Sequence, residues 1–165
     1  MFYIKKVGLA GKLGDSSLDL STGLNVVVGS SNTGKSIIVE CIDYALGDKD
    51  YNIELPGYDS VYVVLSHERG DVKVVRKLGV ANVDIESYNP LVPSGTYPIK
   101  KKSGNKKNEP YLDDFLLILN DVKPRQDIII SKDWGKQNFT FRTCLSSFIV
   151  KQENIIRREG FRFRD

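Results

Sequence analysis

At 165 residues, with 41% hydrophobic and 27% charged side chains, the chain has the size and balance of one soluble globular domain able to bury a core without staples. No apolar run approaches the roughly 18 residues of a membrane span, and Met1-Phe2-Tyr3-Ile4-Lys5-Lys6 is not a basic-then-apolar leader, so a cytoplasmic protein without a membrane partner is expected. A net charge of +3 is too modest to mark a nucleic-acid binder by itself, and the distant Cys41 and Cys144 with the single His67 leave no material for a zinc site, a disulfide framework or a histidine triad.

Residues 2–9, 16–20 and 24–28 read as three strands, separated by the Gly11-Lys12-Leu13-Gly14 and Ser21-Thr22-Gly23 turns. The third, Leu24-Asn25-Val26-Val27-Val28, runs directly into Gly29-Ser30-Ser31-Asn32-Thr33-Gly34-Lys35-Ser36, a G-x-x-x-x-G-K-S phosphate loop. Glycines at both ends of such a loop let backbone N–H groups and the start of the next helix converge on an anion. Lys35 is expected to reach the outer phosphates of a nucleotide as a point charge, and the Ser36 hydroxyl to ligate magnesium, which makes magnesium and a nucleoside triphosphate the expected cofactors. The expected cradle runs from Gly29 through Ser30, Ser31, Asn32, Thr33, Gly34, Lys35 and Ser36 to Ile37. Ile37, Ile38, Cys41, Ile42, Ala45 and Leu46 then recur at helical spacing and place a helix that stops at Gly47.

Beyond Gly47 the period changes from helix to strand. Val61, Val63 and Leu65 alternate, Glu68-Arg69-Gly70-Asp71 turns the chain, and Val72, Val74, Val83 and Ile85 continue an antiparallel section over about residues 60–88. His67 is expected in the exposed turn. Residues 89–110 are rich in Pro, Gly, Ser, Asn and Lys and read as a solvated basic loop carrying Lys100, Lys101, Lys102, Lys106 and Lys107. A helical section over about 111–158 follows. Leu112, Phe115, Leu116 and Leu119 mark its first helix behind Pro110; Phe141, Cys144, Leu145, Phe148 and Ile149 mark its second. Cys41 and Cys144 both fall on helix patterns and are expected to pack inside.

A P-loop hydrolase also needs a carboxylate at the end of an apolar strand to hold the metal. Asp121, after Leu116-Leu117-Ile118-Leu119-Asn120, follows a helical rather than a strand pattern, and Asp133 stands two polar residues beyond the structural strand Ile128-Ile129-Ile130. Neither is a convincing ligand. A small GTPase is disfavoured because no DxxG occurs and Asn105-Lys106-Lys107-Asn108 carries an amide where a base-reading acid belongs. A small P-loop kinase or transferase, with its acceptor site in the 89–110 loop, and a non-catalytic nucleotide-binding interaction module remain as alternatives.

Gly23-Leu24-Asn25-Val26-Val27-Val28-Gly29, the phosphate loop and Val39-Glu40-Cys41-Ile42-Asp43-Tyr44-Ala45-Leu46-Gly47 together resemble the N-terminal head segment of the SMC, SbcC and RecN group of ABC-type ATPases. Ser146-Ser147-Phe148-Ile149-Val150-Lys151-Gln152-Glu153 is similar to that group's Q-loop. The resemblance implies an α/β P-loop NTPase lobe, the N-terminal half of an ATPase head, with an antiparallel β subdomain beside the P-loop helix. It implies ATP as the nucleotide, Gln152 at the magnesium or its water, and Lys12 in place of a basic residue that approaches the nucleotide; Gln126 and Gln137 carry the same side chain as Gln152. It further implies partners: a C-terminal lobe of the same protein bearing the signature sequence and metal-binding acids, a head-to-head homodimer, and DNA. ATP hydrolysis would then need that missing lobe, with a coiled coil starting near the arginine-rich end. Relatives read N-G-x-G-K-S, whereas Asn32 stands here at the inner glycine, a place where asparagine is the best non-glycine residue for positive φ.

Overall fold

A computed structural model describes residues 1–30, 33–48, 54–100, 109–129 and 136–148, with side chains through residue 145. Its centre is a six-stranded antiparallel sheet ordered β2-β1-β3-β4-β5-β6. The strands are β1 (Phe2–Gly11), β2 (Gly14–Asp19), β3 (Ser60–His67), β4 (Val72–Lys77), β5 (Asn82–Ser87) and β6 (Gly95–Pro98). The alternation seen in the sequence fixes the faces. Val7 pairs with Val63, Val63 with Val74 and Val74 with Ile85, so one apolar stripe crosses the sheet, while Lys6–Asp19 and Lys73–Glu86 ion pairs occupy the other face. The register of β1 against β3 slips between Ile4 and Lys6, leaving Lys5 at the irregularity with its ammonium 2.8 Å from Asp71.

The helix α1 (Lys35–Ala45) lies across the apolar stripe, chiefly over β3, and buries Cys41, Tyr44 and Ala45. The next, α2 (Leu112–Ile118), adds Leu112, Phe115 and Leu116 to the same core, with Phe115 edge-on to Tyr97 of β6 at 4.7 Å. A small hairpin of β7 (Asp127–Ile129) and β8 (Lys136–Asn138) separates α2 from α3 (Phe141–Phe148), and Thr140 caps α3 by accepting from the Thr143 amide at 3.2 Å. Among the described residues no helix is long and apolar enough to cross a membrane.

Several expectations change. Residues 24–28 are not a strand: Leu24 and Val28 are each 88% exposed, and no described strand pairs with them. An apolar strand of this kind is stable only with neighbours on both sides and cover on both faces. Here no described strand pairs with it on either side, and Asn25 instead bonds locally to Ser21 N and O at 3.0 and 2.8 Å. The first two strands do not stand apart from the antiparallel section but form its edge. The 89–110 stretch is not all loop. It supplies β6 and the buried Asn89, Val92 and Ile99, because its few apolar residues continue the sheet; Lys101, Lys102, Lys106 and Lys107 lie outside the described residues. Within the 111–158 section the strand expected at Ile128-Ile129-Ile130 is present as β7, and the β8 partner it pairs with was not expected. His67 is buried rather than exposed: it ends β3, where Nδ1 accepts from the Arg69 amide and meets Asn89 Nδ2, both at 3.1 Å. Cys41 is buried as expected, but Cys144 is only half-buried.

Candidate functional site

The phosphate-loop residues that are described form a compact turn into α1. Gly34 sits at φ 80°, a left-handed conformation that disfavours any side chain, and its carbonyl accepts from the Ile37 amide at 3.1 Å to start the helix. The first turn of α1 has neither a side-chain cap nor an acid, so apart from the Ile37 amide its N–H groups and the positive end of the helix dipole meet no compensating side chain there. Thr33 Oγ1 donates to Ser30 O at 2.8 Å and closes the loop. The Lys35 ammonium folds back to donate to Ser30 O and lies 3.3 Å from Thr33 Oγ1. A Cβ built on Gly29 would come within 3.1 Å of Thr33 Oγ1, so a glycine there keeps the turn closed. Ser36 is exposed in the first turn of α1.

These features suit a magnesium triphosphate: uncapped amides at a helix start, an adjacent ammonium and a hydroxyl one residue on, with no carboxylate in the first turn to repel the anion. Ser31, Asn32 and Gln152 lie outside the described residues. Lys12 is exposed in the β1–β2 turn, and no described contact joins it to the loop; its neighbour Leu13 is tied instead to Gly57 by an amide-to-carbonyl bond of 3.3 Å. Asp121 follows the end of α2 at φ 59° with an exposed side chain, and Asp133 lies outside the described residues. No cluster of metal-ligating side chains occurs among the described residues.

Sequence reasoning missed what holds the far end of α1. Arg76, 5% exposed, stacks its guanidinium 3.7 Å from the Tyr44 ring centre and donates to Tyr44 O and Asp48 O, each at 2.6 Å, and to Val80 O at 3.3 Å. Burial pulls its pKa below the ordinary arginine value, against the opposing pull of Tyr44 and Asp48. Arg142 of α3 donates to Asp43 Oδ1, 99 residues away, and to Asp48 Oδ1 at 3.2 Å. Two arginines thus meet the negative end of the helix whose positive end starts in the phosphate loop. The signal was present: Arg76 shares strand parity with Val72 and Val74, so it had to point inward.

The model of a family described as AAA domain matches residues 7–159. No curated protein matches the chain.

Proposed function

The chain belongs to the AAA domain family, a P-loop ATPase family, and on that premise we propose that it is the ATP-binding N-terminal half of an SMC- or SbcC-like ATPase head acting on DNA in repair, chromosome organisation or defence. The observation that carries the reading is the Lys35 ammonium held over the loop carbonyl of Ser30 at an uncapped, acid-free helix start. Lys35 binds the outer phosphates, Gly29 through Ile37 supply backbone N–H groups, and Ser36 holds the metal. Magnesium, when bound, neutralises charge on the phosphate oxygens. Gln152 is assigned to the metal or its water and Lys12 to the edge of the nucleotide site. A C-terminal lobe of the same protein, brought together in a head-to-head dimer, supplies the acids that turn binding into hydrolysis, in a cytoplasmic setting. The exposed apolar run at 24–28 supports that part of the reading, because Leu24, Val26 and Val28 are the kind of strand that a neighbouring strand covers.

Titration of magnesium-ATP into the chain and its Lys35→Ala variant tests the reading. Lys35→Ala is expected to weaken binding at least tenfold, with no sustained turnover from either protein; equal affinity contradicts the assignment of the loop, and rapid turnover by the chain alone contradicts the half-site.

A further inference from the structure

The three helices are seated differently. In α1 Cys41, Asp43, Tyr44 and Ala45 are buried, and in α2 every residue from Leu112 to Leu117 is. None of the described side chains of α3, Phe141 to Leu145, is buried. Its apolar contacts are partial: the Phe141 ring centre stands 5.8 Å from that of Phe2, and Leu145 packs at the margin of the core.

Polar bonds supply much of the remaining attachment. The Asp113 carboxylate of α2 accepts from the Arg142 amide at 3.3 Å and from the Phe141 amide, which gives the first turn of α3 an acceptor on another helix. The Arg142 guanidinium crosses to the end of α1, donating to Asp43 Oδ1 and to Asp48 Oδ1 at 3.2 Å, while its side chain stays 36% exposed. Asp43 is 6% exposed in the last turn of α1, where burial and the negative end of the helix dipole both oppose its charge, so that charge depends on the cation.

A joint of this kind opens more readily than an apolar one. The attraction within a buried ion pair is largely offset by the desolvation of its two charges, so letting both back into water costs little, whereas exposing apolar surface costs in proportion to its area. Removing one partner is the damaging change, because it leaves the other charge buried and alone. We propose that α3 is a latched element, which leaves the α1–α2 platform as a unit while the sheet stays folded, with Arg142 on Asp43 and Asp48 as the catch. The catch joins α3 to the helix that begins in the phosphate loop.

Amide hydrogen exchange on the whole chain tests this, because an eight-residue helix freed from its support does not persist in water and its amides exchange on release. After correction for intrinsic rates, the Leu145 to Phe148 amides of α3 are expected to exchange at least tenfold faster than the Cys41 to Ala45 amides of α1, and with a shallower dependence on urea, since release exposes less surface than unfolding. Arg142→Met is expected to speed the α3 amides at least tenfold again, because only release then lets Asp43 meet water. Where Arg142→Met fails to fold by circular dichroism, Arg142→Lys, which keeps the charge but lacks the two-armed fork, is read instead and is expected to speed α3 at least threefold. Equal exchange of α1 and α3 in wild type, an equal urea dependence, or α3 amides that a folded Arg142 variant leaves unchanged overturns the proposal.

Discussion

Replacing Arg76 by methionine removes the cation that ties the P-loop helix to the sheet while keeping an unbranched stem of similar length over Tyr44. Three carbonyls lose a charged donor: Tyr44 O and Asp48 O at 2.6 Å and Val80 O at 3.3 Å. Hydrogen bonds to charged groups contribute about 1.5–3 kcal/mol each, which sets a gross loss of about 5–9 kcal/mol. Against this, the guanidinium no longer has to be taken out of water, an effective gain of several kcal/mol for a buried ion. The balance predicts a net loss of about 3 kcal/mol, large beside the 5–15 kcal/mol that domains typically possess. Urea unfolding followed by far-ultraviolet circular dichroism measures it. The midpoint should fall by about 1.5 M with the slope unchanged, taking a slope of about 2 kcal/mol/M. A loss under about 1 kcal/mol, or a gain, would mean that desolvation outweighs the three bonds and that Arg76 does not anchor α1.

Asp113 gives a pH signature of definite sign. Its folded pKa of about 6 lies above the ordinary 3.8, so the native state holds the proton more tightly and stability falls as pH rises between about 4 and 6. Asp113→Asn should flatten that limb by on the order of 1–3 kcal/mol in denaturation midpoints compared at pH 4.5 and 7, and an unchanged pH profile would refute the burial argument. Gly11→Ala should cost about 2 kcal/mol by thermal melting, since its Cβ would lie 2.5 Å from Tyr58 Cα and 2.7 Å from Gly57 O, backbone that cannot swing aside; a neutral melt would show that this turn is loose. Cys41 is 2% exposed with its thiol pushed up by burial to about 11, so an aromatic disulfide reagent at pH 8 should label Cys144 in the native protein and Cys41 only after denaturant is added. Fast labelling of both thiols would contradict the packing of α1.

Local pattern carried the elements whose partners are close in sequence. The alternation of Val61, Val63 and Leu65 with Val72 and Val74, and the helical spacing behind Gly34 and Pro110, read correctly because each follows from side-chain period and a nearby turn. Residues 24–28 misled for the opposite reason. Their composition specifies a strand covered on both faces, and whether a strand forms depends on partners that no local period encodes. His67 misled because a turn residue was assumed to face water, whereas Asn89, 22 residues on, folds over the turn and pairs with its ring. The turn from Gly34 into α1 was legible since its residues are consecutive. The Arg76 and Arg142 contacts at the other end of α1 were not, because they join residues 32 and 99 apart.

The proposed function depends on a phosphate socket formed by the backbone and ammonium between Gly29 and Ser36. Base-free magnesium tripolyphosphate isolates it, because such a probe offers the protein only phosphates and a metal. Titrated into isotope-labelled chain, it should shift the backbone amide resonances of Gly34, Lys35 and Ser36 saturably, and Lys35→Ala should weaken the response at least tenfold. Amides of the loop that stay unmoved, or that move equally in Lys35→Ala, would contradict it.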